Sequence, residues 1–121
     1  MTKEYININK KQGEVKGTLR SFTFKEGDVH IVYHPCLGIS GYGDTFEEAA
    51  ALAKISLDDF AAELLELPHH KIFTVLKELG WERDRIFKKK LHNLSEATYE
   101  DIKREFNIPD DIPIQESLVN V

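Results

Sequence analysis

Residues 35–50, Pro-Cys-Leu-Gly-Ile-Ser-Gly-Tyr-Gly-Asp-Thr-Phe-Glu-Glu-Ala-Ala, leave this chain few folds to choose from. An apolar stretch runs into glycines and turns at once into a helix. Thr45 stands at the N-cap. Its hydroxyl is placed to accept from the N–H of Glu48, and the Glu48 carboxylate to reach back to the N–H of Thr45. Asp44, Glu47 and Glu48 put negative charge at the positive end of the helix dipole. Gly41 and Gly43 permit a backbone path that side chains would resist. The stretch therefore predicts strand, corner and long helix, with Pro35, Gly43, Asp44, Thr45 and Glu48 as its structural motif.

Downstream, Phe46, Ala49, Ala50, Ala53, Leu57, Phe60, Ala61 and Leu64 recur at three- and four-residue spacing. That is the apolar face of a helix over 46–66, ended by Pro68. Upstream the period is two. Residues 3–10 alternate around Ile6 and Ile8, and residues 14–25 form a second strand with Val15, Leu19, Phe22 and Phe24 as its apolar members. Gly17 inside it marks a bulge or bend. A turn at Lys25–Asp28 leads to a third strand over 29–33, and Leu37–Tyr42 makes a fourth. The class is α+β: an antiparallel meander of three to four strands on a long helix, with one face covered.

The rest of the chain reads as additional helices and a last strand. Residues 69–79 form a helix with Gly80 as C-cap, and Ser95 or Thr98 caps a third helix to about Phe106. Residues 107–113 are a loop and 114–121 a last strand or ordered tail. With 121 residues the natural expectation is one domain, with a core over about 14–66 and an extension from about 68.

Charge separates the function classes. A net charge of −5 argues against loose polyanion binding and suits a basic protein partner. Residues 81–90 run against that trend, with Arg83, Arg85, Lys88, Lys89 and Lys90 interleaved with Trp81 and Phe87. Cations attract phosphates and aromatics stack on bases, so this segment is the candidate contact for a partner or for nucleic acid. The plainer alternative is an edge strand through Ile86-Phe87, kept soluble by its lysines. No apolar run reaches the length of a membrane helix, the first five residues hold no leader core, and Cys36 is the lone cysteine. Those features lead to the expectation of a cytoplasmic protein of a bacterial cell with no membrane partner.

Candidate chemistry is sparse. His30 and His34 sit about 13 Å apart by strand rise, too far to share a metal. His69 and His70 diverge, and His92 stands alone, so solvated histidines are expected. Cys36 reads as a small buried hydrophobe. Asp58-Asp59 and Glu47-Glu48 read as a solvated helix face rather than a two-metal site. No catalytic residue, metal or cofactor is expected.

Residues 18–66 resemble the HicB-like antitoxin family. The likeness rests on Gly27 in the first turn, Pro35 after the next strand, Gly38, and the run Gly43-Asp44-Thr45-Phe46-Glu47-Glu48-Ala49. It implies a HicB-like, partial ribonuclease-H-like core without nuclease chemistry. It further implies a non-catalytic module that binds and masks a small basic toxin ribonuclease and forms a homo-oligomer. The alternative is a nucleic-acid-binding accessory protein using residues 83–90. A third reading is a small enzyme or ligand carrier with a pocket near His34, Cys36 and Tyr42.

Overall fold

A computed structural model describes residues 4–87, 89–94 and 97–121. Lys3, Lys88 and Ser95, which the sequence reading assigns to a strand, a basic patch and a helix cap, lie outside them. Among the described residues the chain is α+β, with one antiparallel sheet and three helices. The strands are β1 (Tyr5–Asn9), β2 (Glu14–Glu26), β3 (Val29–His34), β4 (Ile39–Gly43), β5 (Trp81–Arg83), β6 (Lys90–Asn93) and β7 (Gln115–Asn120). The helices are α1 (Phe46–Glu66), α2 (His69–Glu78) and α3 (Tyr99–Phe106). Seven strands replace the expected three or four. No helix among the described residues is long and apolar enough to cross a membrane.

The 13-residue β2 is the spine of the sheet. Pairing runs β4-β3-β2-β1-β6-β5, with β7 added on β2. The registers show how four strands share one spine. β1 pairs residues 14–18 of β2, β3 pairs 22–26, and β7 pairs 18–23. Thr18 thus has β1 on one side and β7 on the other, while Phe22 and Thr23 have β3 opposite β7. A residue has only two edges, so β1 and β3 lie end to end along one edge and β7 occupies the other.

The gap between β1 and β3 falls at Arg20, and side chains close it. The Arg20 N–H donates to Glu4 Oε1 at 2.7 Å, and the Arg20 carbonyl meets His34 Nδ1 at 3.2 Å. Glu4 and His34 are both buried there. A carbonyl only accepts, so Nδ1 carries a proton. On the other edge the Arg20 guanidinium grips Glu116 of β7 through two 3.1 Å bonds.

This junction makes stability depend on pH. Burial lowers the pKa of His34 below its ordinary 6.5. In the unfolded chain the ring titrates normally, so between the two values the unfolded state binds more protons. The contribution of His34 is therefore complete above pH 6.5 and is lost as pH falls through the folded value. The unfolding free energy from denaturant titration should drop between pH 7.5 and 5.5, by no more than about 1.4 kcal/mol per pH unit from this group. His34→Gln, which keeps a donor for the carbonyl, should flatten that slope. An unchanged slope would show that another group sets it.

The sheet is covered on both faces, not one. Along β2 the buried apolar residues change parity between Leu19 and Phe22. Leu19, with Ile6, Ile8, Cys36 and Leu91, packs under α1 and α2 against Leu57, Leu64, Ile72 and Leu76. Phe22 and Phe24, with Ile31 and Tyr33, face the opposite way and pack against Ile102, Phe106 and Ile108. Tyr33 Oη also donates to the Glu105 carboxylate on α3 at 3.1 Å. Of the aromatics that could have covered an open face, Phe22, Phe24 and Tyr33 are core, while Tyr42 is exposed.

Candidate functional site

The basic segment folds as a hairpin rather than an edge strand through Ile86-Phe87. After Gly80 the chain forms β5, turns beyond Arg83 and returns as β6, which pairs with β1. Alternation sends Trp81 inward. Its ring is 2% exposed, and its Nε1 donates to the Cys36 carbonyl at 3.0 Å. Trp81 is thus part of the core and offers no face for stacking on a base.

Asp84 builds the turn. Its Oδ1 accepts from the N–H groups of Ile86 and Phe87, and its Oδ2 lies 2.9 Å from His92 Nε2. Those bonds, the Phe87 N–H first and His92 next, hold the Asp84 carboxyl down to about 2. The backbone adds bonds from Asp84 N to Lys90 O and from Lys90 N to Phe87 O. Ile8 N donates to Lys89 O and fastens the turn to β1. The loop is therefore braced, and it presents Ile86 and Phe87 to solvent at 78% and 64% exposure.

The cations divide between two sides of this hairpin. Arg83 stacks over the Phe73 ring of α2 at 4.1 Å, and Lys90 Nζ lies 4.7 Å from the centre of Tyr5 on the opposite face. Arg85 and Lys89 are exposed at the turn. Asn7, Ile86, Phe87, Lys89 and Lys90 line an open cleft of about 600 Å³. Among the described residues, the sequence-predicted set thus reduces to a surface of Arg85, Phe87, Lys89 and Lys90, with Ile86 added, Trp81 removed to the core and Arg83 turned toward α2.

A second surface follows from the start of α1. Thr45 is its N-cap and accepts from Glu48 N at 3.1 Å. The return bond goes to the N–H of Asp44 at 2.9 Å, one residue earlier than the expected Thr45. Pro35 sits in the β3–β4 turn, where its carbonyl accepts from Gly38 N. Gly43 ends β4 so closely against the helix that a Cβ there would lie 2.5 Å from Glu48 Cβ. This corner sends α1 across the sheet with Ala49 and Ala53 buried on it. The outward side of α1 carries Glu47, Glu48, Asp58, Asp59, Glu63 and Glu66, with Lys54 as the helix's single basic residue. Ile55 stands among them, 56% exposed. Sequence reading missed Ile55, although an isoleucine out of phase with the apolar stripe was a visible signal.

The remaining chemical candidates are dispersed. Cys36 is buried, and burial together with the Glu4 carboxylate pushes its thiol well above the ordinary range. His34 is buried rather than solvated and lines a cleft of about 300 Å³ beneath α1, with Ser21, Leu57, Ser117 and Val119. Tyr42 is exposed on β4, so His34, Cys36 and Tyr42 do not converge on one pocket. Among the described residues, no three His, Cys, Asp or Glu side chains stand close enough to share a metal ion.

In comparisons with known proteins, no family model, curated protein or solved structure matches this chain.

Proposed function

We propose that this chain is a non-catalytic protein-interaction module of the HicB antitoxin kind, which binds a small basic ribonuclease and masks it. One observation carries the reading: the outer face of α1, with six carboxylates against one lysine and Ile55 exposed between them. Such a face suits a basic partner. Charge steers the encounter, and an apolar anchor holds the complex once water is excluded. In this reading β2, β3, β4 and α1 are the HicB-like, partial ribonuclease-H-like core, and the chain beyond Leu67 is an addition to it.

The reading predicts a short reading frame for a small basic ribonuclease beside this chain's gene, and the test uses its product with a fluorescent RNA substrate. Cleavage should stop at one equivalent of the chain. Ile55→Lys combined with Asp59→Lys should weaken inhibition about 10- to 100-fold. Undiminished inhibition by that variant would remove α1 from the reading, and unimpeded cleavage by the wild-type mixture would remove masking itself.

The braced hairpin favours a second reading, that of a nucleic-acid-binding accessory protein. Phe87 is exposed beside Arg85 and Lys89, which is the arrangement of a stacking ring among phosphate contacts. RNA retained by the chain alone, released by salt and lost on Arg85→Gln with Lys89→Gln, would transfer the function to this loop.

A further inference from the structure

Among the described residues β7 pairs with β2 and with no other strand. Val121 and Gly17 exchange both backbone bonds, and the register continues through Val119 with Leu19 and Ser117 with Ser21. Backbone groups alternate sides along an antiparallel strand, so Glu116, Leu118 and Asn120 turn their N–H and C=O groups to the outer edge. Proteins commonly blunt such an edge with charge. The one charged side chain in β7 is Glu116, and Arg20 draws it back over β2. Leu118, opposite Arg20 of β2, is left 52% exposed between the uncharged Ser117 and Val119 along the strand.

We propose that β7 is a self-pairing edge, through which two copies of this chain join antiparallel about a two-fold axis at Leu118. The backbone dictates the register. Outward-facing residues must meet outward-facing residues, so the axis passes through a residue and not between two. A centre at Leu118 engages all three outward-facing residues of the strand. Leu118 meets its own counterpart, and Glu116 meets Asn120 of the second copy. Three such pairs exchange six hydrogen bonds.

The side chains agree with that register. The two Leu118 side chains cover one another, Glu116 faces an amide instead of a carboxylate, and Ser117 stands opposite Val119. No like charges oppose. The edge at β5 offers no comparable template, having three residues of which Glu82 and Arg83 are charged. The inference is independent of what α1 binds.

Light scattering across a concentration series tests the pairing. The wild-type chain should approach about 27.8 kDa, twice its 13.9 kDa, at high micromolar concentration. Leu118→Lys, at an exposed position, should stay at 13.9 kDa with an unchanged circular dichroism spectrum. Leu118→Cys should oxidise to a covalent dimer that a thiol reverses, since Cys36 is buried and does not compete. A wild-type chain monomeric throughout, a dimer that survives Leu118→Lys, or a β7 that pairs only with a different protein overturns the proposal.

Discussion

Trp81→Ala should destabilise the fold by about 4 kcal/mol, the scale of truncating a fully buried tryptophan. Two losses combine. The indole fills the core between Leu76, Leu91 and Cys36, and its Nε1 satisfies the buried Cys36 carbonyl. Alanine leaves a cavity and an unpaired acceptor together. Against a total of about 5–15 kcal/mol, such a loss lowers the midpoint of urea unfolding steeply. Trp81→Phe separates the terms, because it keeps most of the ring and removes only the donor. Its cost should be about 1–2 kcal/mol. Circular dichroism must follow the alanine variant, because Trp81 is the only tryptophan. In the wild-type chain this same residue reports its burial: native emission should resist a soluble quencher until the protein unfolds. A cost below about 1 kcal/mol for Trp81→Ala, with emission quenched in the native state, would place the ring at the surface after all.

The fate of Trp81 marks where sequence reasoning stops. A basic run interleaved with aromatics looks the same whether its rings point in or out. β5 has only three residues, too few to display a period, and its place depends on β6 pairing with β1 some eighty positions earlier. Elements with local chemistry were legible. Helix α1 begins at Phe46 and ends at Glu66 as the sequence predicts, because a threonine cap, a 3.6-residue stripe and Pro68 fix it without help from the rest of the chain. α3 is capped by Thr98, whose capping box with Asp101 closes in both directions. The second covered face of the sheet was readable in principle. Val15 and Leu19 have one parity and Phe22 and Phe24 the other, so one strand has to bury both sides. A meander with a single covered face cannot accommodate that switch. The end-to-end placement of β1 and β3 was not readable, since it depends on β7 arriving from the far end of the chain.

Gly41→Val should cost about 3 kcal/mol or more, for a reason different from the one its sequence context suggests. A glycine near a corner reads as conformational licence, and Gly27 and Gly38 do have positive φ values of 62° and 64°. Gly41 does not share that backbone conformation. It is required by proximity: a Cβ there would sit 2.2 Å from the Ala49 carbonyl oxygen and 2.4 Å from the Ala53 nitrogen. Both are backbone atoms of α1, so no rotamer relieves the clash and the whole helix must lift. Lifting it opens the contact of Val32 with Ala49 and Ala53. Replacing a glycine kept only for its positive φ costs about 1–2 kcal/mol, so the size of the effect distinguishes the two causes. Gly41→Ala carries the same argument with less bulk, and Tyr42→Val, at an exposed position on the same strand, is the control that should change little. If Gly41→Ala unfolds within about 1 kcal/mol of wild type, α1 is not seated on β4 at this distance. If both glycine variants fail as expected, the acidic face of α1 is held in place by a residue that has no side chain.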